Sequence, residues 1–294
     1  MARLRTKSAG LTDVGLQREH NEDTFRCLPE YGLYLVADGM GGHQSGEVAS
    51  EMAAEGMRAF FEATEKDDAT WPFPIDPNLS LPENRLSAAI KMANKQIFDR
   101  SSTDDSTQGM GTTIVGILIT PDKGVVHVAH VGDSRAYRVR DGEIEQLTRD
   151  HSLVNDYLMM MPDMPKEAMD VLPKNVITRA LGMQDSVVVD LATETALPGD
   201  ALLLCSDGLS GQVTDERISE VVRDTDGDLE EAAAILVRES NDAGGDDNVT
   251  VVIVSLAGGD TGDTGGDTEI AHGDTEAPEP ESNDSSDADV DTDA

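Results

Sequence analysis

Short apolar runs rich in β-branched residues dominate the hydrophobic pattern of the chain, and they predict strands. In the middle of the chain, three such runs follow one another across turn residues at 121–124 and 132–134. The predicted strands are Leu33–Ala37, Thr112–Ile119, Val125–Val131, Arg135–Arg140, Ser186–Leu191, Leu202–Cys205 and Val249–Leu256. Because the middle runs are joined by tight turns, we expect them to form an antiparallel meander.

Apolar residues recur at helical spacing in two segments that follow the first predicted strand, at 48–61 and 86–97. Ser80 and Glu83 form a capping-box pattern ahead of the second segment. Two further helices are expected to begin at Thr214 and Asp228, and the Met-rich segment 151–181 is also predicted to be helical. Strands in runs with helices in pairs indicate layers of the α+β class.

The composition changes at Ala257, which separates one folded domain (1–256) from an acidic tail (257–294). The tail holds 13 of the 58 acidic residues and none of the 22 Lys and Arg residues. One-signed charge with few apolar residues predicts disorder. The Gly-Asp-Thr repeats in the tail lack the regular nine-residue period of calcium-binding rolls, so we expect a solvated tail.

The net charge of −36 restricts the partners that the chain is expected to have. Even without the tail the charge is −23, so we expect neither nucleic acid nor an anionic membrane as a partner. No signal peptide is visible, and the apolar runs are too short to span a bilayer. The two cysteines, Cys27 and Cys205, form no CxxC pattern. We expect a soluble, cytoplasmic monomer.

Aspartates at the ends of predicted strands are the candidate chemistry of the chain. Asp38 and Asp207 each follow an apolar run and precede a glycine, Asp247 comes just before the last strand, and Asp133 lies in a turn between two strands. Carboxylate oxygens are the ligands that Mg²⁺ and Mn²⁺ prefer. A single Asp-Gly is more often only a turn, but several at strand ends favour a metal site at one sheet rim.

Motifs along about 240 residues resemble the metal-dependent protein phosphatases of type 2C in their bacterial form. The first motif runs from Thr12 to Asp23 and includes Arg18. The others are VADGMGGH (36–43), GMGTT (109–113), HVGDSRAYR (130–138), LTRDHSLV (147–154), NVITRALG (175–182), LLLCSDGLS (202–210) and GGDDNVTVV (244–252). The resemblance implies a four-layer α-β-β-α sandwich of two antiparallel sheets flanked by helix pairs. It also implies a flap near residues 151–178.

The resemblance also implies roles for individual residues. Two Mg²⁺ or Mn²⁺ ions would be bridged by Asp38, with the Gly39 carbonyl on the second ion and Asp207 and Asp247 on the first. Asp133 matches the site of a third ion, which it would share with Asp207. Asp23 would bind metal-coordinated waters from outside the ligand shell. Arg18 matches the phosphate-binding arginine, although its spacing by itself favours an ion pair with Glu19 or Glu22.

Histidines and the Met-rich flap leave alternatives open. His43 lies at the end of the glycine loop, where it acts either as a general acid or in loop packing. His127, His130 and His151 are expected to be structural, as are Thr178 and Arg179, and His20 fits either kind of role. The methionines of the flap, Met159–Met161 and Met164, either grip a substrate protein or pack as an amphipathic helix, and we favour packing.

The resemblance therefore implies a serine/threonine protein phosphatase whose partners are phosphoproteins, including Ser/Thr kinases and their substrates. Two alternatives remain: a pseudophosphatase that only binds phosphoproteins, and a hydrolase of small phosphoesters. The first alternative is disfavoured because no metal ligand of the family is missing from this sequence.

Overall fold

The computed structural model of the chain describes residues 3–41, 45–65, 71–162, 165, 172–173, 176–259 and, by backbone alone, 272–274. The strands are β1 (Leu4–Asp13), β2 (Asp23–Leu28), β3 (Leu33–Met40), β4 (Gly111–Thr112), β5 (Ile114–Thr120), β6 (Val125–Val131), β7 (Arg135–Arg140), β8 (Glu143–Gln146), β9 (Asp190–Thr195), β10 (Ala201–Cys205), β11 (Val249–Gly258) and β12 (His272–Asp274). The helices are α1 (Ser45–Ala63), α2 (Leu81–Thr103), α3 (Leu153–Met160), α4 (Asp207–Ser210), α5 (Asp215–Asp224) and α6 (Leu229–Asp242).

The strands form two sheets that lie face to face. One has the order β12-β1-β11-β10-β7-β8 and the other the order β2-β3-β5-β6-β9, with β4 paired to β3. All pairs are antiparallel except the short one between β1 and β12. The longest register runs from Leu4 opposite Gly258 to Asp13 opposite Val249. Strands that lie far apart in the chain are therefore neighbours in the fold.

Alternation along the strands explains why their sequences are apolar almost without interruption. On β3, Leu33, Leu35 and Ala37 pack against α1 and α2, whereas Tyr34 and Val36 face the other sheet. Side chains of β10 alternate in the same way: one set faces the space between the sheets, and the other packs against helices α5 and α6. A strand covered on both faces needs apolar residues at every position. The predicted α+β sandwich of two sheets between helix pairs is confirmed.

Predicted and observed elements agree best where turns and caps are encoded locally. The strands Val125–Val131 and Arg135–Arg140 are found with the predicted bounds. The predicted meander is confirmed for β5 and β6 but wrong for β7, which crosses to the other sheet and pairs with β10. The Ser80–Glu83 capping box is present at the start of α2. The Thr214 and Asp228 side chains accept hydrogen bonds from backbone N–H groups at the starts of α5 and α6. These signals need only a few neighbouring residues.

Two strand predictions were wrong in position. The run Ser186–Leu191 is mostly irregular, and the strand there is Asp190–Thr195, which pairs with β6 from Asp190 opposite His130 onward. Val187 and Val189 instead pack against the helix-covered core. The predicted strand Thr112–Ile119 is interrupted at Thr113, because the N–H of that residue donates to the Asp38 carbonyl, 2.8 Å away.

The flap also differs from the prediction of a packed Met-rich helix. In the described part of 151–181 the helix is limited to α3, and none of its residues is buried. Met159, Met160 and Met161 are 59%, 79% and 45% exposed. The prediction that these three methionines are packed is therefore wrong. Met164 lies outside the described residues.

At the predicted boundary of the tail, β11 continues to Gly258, two residues past the expected end of the last strand. His272–Asp274 runs parallel to β1, with His272 opposite Gly10 and Asp274 opposite Thr12. The other tail residues beyond Gly259 lie outside the described part of the chain. Within the described residues, no helix combines the length and the apolar character needed to cross a membrane.

Leu204→Ala is expected to lower the free energy of unfolding by about 2–5 kcal/mol, because it opens a cavity between the two sheets. Urea denaturation measures the change. The control Met160→Ala alters an exposed side chain and should change stability by no more than about 0.5 kcal/mol. Equal losses in both variants would contradict the assignment of Leu204 to the core between the sheets.

Candidate metal centre

Two of the predicted site carboxylates face each other on neighbouring strands. Asp23, the first residue of β2, is the direct partner of Asp38 near the end of β3. The Asp38 backbone is fixed, since its N–H donates to the Thr113 hydroxyl at 3.0 Å and its carbonyl accepts from Thr112 Oγ1 at 2.9 Å. These hydrogen bonds fix the position of the Asp38 backbone at the edge of its sheet.

Asp207 approaches from the other sheet. It begins the short helix α4 directly after β10, where Ser206 and Thr250 exchange two hydrogen bonds of 3.0 and 3.1 Å. The Thr250 hydroxyl also donates to Asp23 Oδ2 at 2.7 Å. Thr250 therefore joins the carboxylate of one sheet to the strand end of the other.

Asp133 follows Gly132 in the turn between β6 and β7. Gly132 has a φ of 113°, and a Cβ there would lie 2.6 Å from the Thr113 side chain. The next residue, Ser134, shares a 2.6 Å hydrogen bond with the Thr113 hydroxyl. Asp133 is buried, yet its Oδ1 atom has no hydrogen-bond partner among the described residues. A buried, unpaired carboxylate oxygen is costly unless a cation approaches it.

Burial and mutual repulsion raise the pKa values of these carboxyl groups. The pKa of Asp38 is well above its usual value, first because of burial and then because of Asp23, Asp207, Asp133 and Asp247. Burial likewise raises the pKa of Asp23 to about 7 and that of Asp133 to about 7. The pKa of Asp207 is raised by burial and by repulsion from Asp247.

The five predicted aspartates thus form one cluster of interacting charges. Its donor set consists of carboxylate oxygens, which suits hard divalent cations such as Mg²⁺ and Mn²⁺. Cations would offset the repulsion and give the unpaired oxygen of Asp133 a partner. The residues present therefore fit the metal ions that the sequence implies.

Arg18 lies at the open side of this cluster. Its side chain is 47% exposed and donates to Asp247 Oδ2 at 2.7 Å, so the observed ion pair is with Asp247 rather than with Glu19 or Glu22. A second, longer bond of 3.4 Å joins Arg18 Nε to the Asp246 carbonyl. The guanidinium is thus held next to the carboxylates with one edge accessible to solvent.

Gly39 lies where a side chain has no room. A Cβ at this position would be 2.2 Å from the Gly46 carbonyl oxygen and 2.5 Å from that of Glu22. The Gly39 N–H donates to the Glu22 carbonyl at 3.0 Å, which ties the end of β3 to the start of β2. His43, the predicted general acid, lies outside the described residues.

Two residues near the cluster were not assigned a role from the sequence. Asn248 accepts from the Glu22 N–H at 2.8 Å and donates to the Val14 and His20 carbonyls at 2.9 Å each. Glu22 in turn accepts from the Gly46 N–H in the first turn of α1 at 3.2 Å. The only local signal was the Asp-Asp-Asn triplet, which does not reveal partners more than 200 residues away.

Without metal, Asp133→Asn is expected to stabilise the protein more at pH 8 than at pH 5. The pKa of Asp133 is about 7 when folded and 3.8 ordinarily, so the folded chain binds this proton more tightly than the unfolded chain does. The free energy of unfolding of the wild type therefore falls as the pH rises from about 4 to about 7. The variant lacks this loss and should gain about 1–3 kcal/mol at pH 8.

Urea denaturation in excess chelator at the two pH values measures this difference. Asp122→Asn, at an exposed turn, is the control for the loss of one negative charge and should change stability by no more than about 0.5 kcal/mol. An Asp133→Asn effect of the same size at both pH values would contradict the assignment.

Comparisons with known proteins identify the family of this chain. The family described as "Protein phosphatase 2C" matches residues 17–239. The "Serine/threonine phosphatase stp" of Listeria welshimeri is 36% identical over 251 residues, which are 83% of this chain and 93% of that protein.

Solved structures show the same relation. The Mycobacterium tuberculosis serine/threonine phosphatase PstP/Ppp superposes with a TM-score of 0.73 at 34% identity, covering 86% of this chain and 99% of the other. The catalytic domain of the serine threonine protein phosphatase PstP, described in complex with two manganese ions, has a TM-score of 0.70 at 35% identity. That match covers 86% of this chain and 99% of the other. This chain belongs to the protein phosphatase 2C family.

Proposed function

We propose that this chain is a serine/threonine protein phosphatase that depends on Mg²⁺ or Mn²⁺. The observation that carries the proposal is the cluster of five aspartates, buried enough to raise several of their pKa values and open on the side of Arg18. In this proposal Asp38 would help to hold both of two ions, the Gly39 carbonyl would help to hold the second, and Asp207 and Asp247 would hold the first. Asp133, together with Asp207, holds a third.

When bound, the ions would supply a water molecule of lowered pKa as the nucleophile and would offset the negative charge on the phosphate. The protein contributes rigid placement, because each ligand lies at a strand end or in a turn fixed by backbone hydrogen bonds. Asp23 is itself fixed by the Thr250 hydroxyl and is proposed to accept a hydrogen bond from a water bound to the ions.

Arg18 is proposed to bind two oxygens of the substrate phosphate. Its guanidinium lies next to the carboxylate cluster, and a planar fork matches the geometry of a phosphate. His43 is proposed as the proton donor to the serine or threonine oxygen that leaves.

The proposed substrates are phosphoproteins, and among them Ser/Thr kinases and the proteins that those kinases phosphorylate. The net charge of −36 disfavours acidic peptides, so phosphosites flanked by basic residues are the expected preference. We further propose that this chain is a cytoplasmic monomer with an acidic tail (257–294) beyond the catalytic domain (1–256).

Asp207→Ala is expected to lower kcat/KM on a phosphothreonine peptide by about a thousandfold or more, because the variant loses a ligand of the first ion. The assay is run with Mn²⁺, with Mg²⁺ and in excess chelator, and the wild type should be active only with a metal. The matched control is Asp246→Ala, an exposed aspartate whose side chain accepts from Gln212 at 3.2 Å.

Full wild-type activity in excess chelator would contradict the metal mechanism. Calorimetry that detects no Mn²⁺ binding would favour a pseudophosphatase. A higher kcat/KM on nucleotides than on the peptide would instead favour a hydrolase of small phosphoesters.

Arg18→Lys is expected to raise KM for the phosphopeptide about tenfold with a smaller change in kcat, because an ammonium cannot bind two phosphate oxygens as a fork. Initial rates over a range of peptide concentrations at saturating Mn²⁺ separate the two constants. Arg58→Lys is the matched control, since Arg58 pairs only with Glu55 and Glu62 among the described residues. An unchanged KM in Arg18→Lys would contradict the proposed role of Arg18 in binding the phosphate.

A further inference from the structure

His151 makes an unusual set of contacts at the base of the flap. It is 1% exposed, and its ring nitrogen Nδ1 accepts a hydrogen bond from the Gly132 N–H at 2.9 Å. The His151 backbone N–H donates to the Gly132 carbonyl at the same distance. One residue therefore satisfies both polar backbone groups of Gly132, and Gly132 directly precedes Asp133.

The tautomer of His151 follows from these contacts. Because Nδ1 accepts a hydrogen bond from the Gly132 N–H, the neutral ring carries its own proton on Nε2. Nε2 lies 3.2 Å from Asp190 Oδ2, and Arg179 donates to the other oxygen of Asp190 at 2.6 Å. Asp190 thus orients the ring, and Arg179 orients Asp190.

Ligand atoms of His130, His151 and Asp190 lie within 4.8 Å of one another, a spacing that would also fit a separate metal site. Arg179 argues against that assignment. Its Nη1 atom is 3.0 Å from His151 Nε2 and 2.6 Å from Asp190, so a cation already occupies the place beside both ligands. The two imidazole rings are stacked 4.7 Å apart, and His130 Nε2 is bonded to the Arg149 carbonyl at 2.8 Å.

The His151 backbone also joins the two ends of the flap. Its carbonyl accepts from the Thr178 N–H at 2.8 Å, and the next residue, Ser152, forms an isolated bridge with Ile177. The two ends of the segment 151–178 therefore meet at the residue that holds Gly132. The base of the flap and the turn that carries Asp133 are therefore connected through the contacts between His151 and Gly132.

We propose that His151 is a positioning residue for Asp133: its ring and backbone clamp Gly132 and so fix the carboxylate that follows. The inference rests on the proposed function for the ion that Asp133 would hold. His151 contacts the turn through Gly132.

The test compares His151→Phe, which keeps a planar ring without an acceptor, with His151→Asn, whose side-chain oxygen can replace Nδ1 as the acceptor for Gly132. His127→Phe is the matched control. His127 is a buried histidine of the same strand as His130, and it shares one hydrogen bond with Thr193 of β9, 2.9 Å long. All variants are made in the full chain, and thermal melts establish that each is folded.

The first readout is hydrogen exchange at the Gly132 amide in metal-free protein. His151→Phe should exchange about threefold to tenfold faster than wild type, because the amide loses its acceptor. The second readout is Mn²⁺ calorimetry, in which the dissociation constant of the one site that Asp133 would hold should rise about tenfold to a hundredfold and those of the other sites should not change. His151→Asn should restore both values to within about threefold of wild type.

Activity provides a third comparison. For His151→Phe, the Mn²⁺ concentration at half-maximal rate should rise while KM for the phosphopeptide stays within about twofold. His127→Phe should leave all three readouts at the wild-type values. If His151→Phe is not folded, Asp190→Asn takes its place, since it removes the charge that orients the His151 ring, and it should shift exchange and Mn²⁺ affinity in the same direction by a smaller factor.

Unchanged exchange and Mn²⁺ affinity in His151→Phe would overturn the proposal, as would equal changes in His127→Phe or no rescue by His151→Asn. A wild-type chain that binds Mn²⁺ but hydrolyses no phosphopeptide contradicts only the proposed function. Hydrogen exchange and calorimetry then still test whether His151 positions Asp133. A wild-type chain that binds no Mn²⁺ contradicts both.

Discussion

Repulsion among carboxylates that the fold keeps partly out of water is the constraint on which the rest of this structure depends. Asp23 and Asp38 come from one sheet, Asp207 and Asp247 from the other, and Asp133 from the turn that joins the two. Bringing such groups together is unfavourable without a counter-charge. The packing between the two sheets and under the helices holds them in place, so the stability of the sandwich offsets the strain of its site.

Hydroxyl and amide groups around the cluster make this arrangement rigid. Thr250 joins Asp23 to Ser206, and Thr113 joins Asp38 to Ser134. Each bond crosses between segments that are distant in the chain. Buried polar networks of this kind favour one geometry over its near alternatives, because an unpaired member would be costly. Rigid placement is what binding of two or more cations to shared oxygens requires.

The flap adds a second connection to the same turn. Its two ends meet at His151, whose ring and backbone hold Gly132, while the methionines of α3 remain exposed on the outer side. Exposed, flexible thioethers make adaptable contacts with other proteins. The flap thus has a buried base that contacts the turn of Asp133 and, among its described residues, exposed methionines at the end of α3.

The sequence by itself determined the parts of this protein that depend on near neighbours. The strands Val125–Val131 and Arg135–Arg140, the helix caps and the aspartates at strand ends were all predictable, because alternation, capping and turn chemistry act over a few residues. It did not reveal β1, whose segment Leu4–Asp13 mixes polar and apolar residues, and it misplaced β9. Only the tertiary structure decided that Arg18 pairs with Asp247, 229 residues away, and that His151 meets Gly132. Such contacts depend on which strands become neighbours, and that is settled by the packing of the whole sandwich rather than by any local pattern.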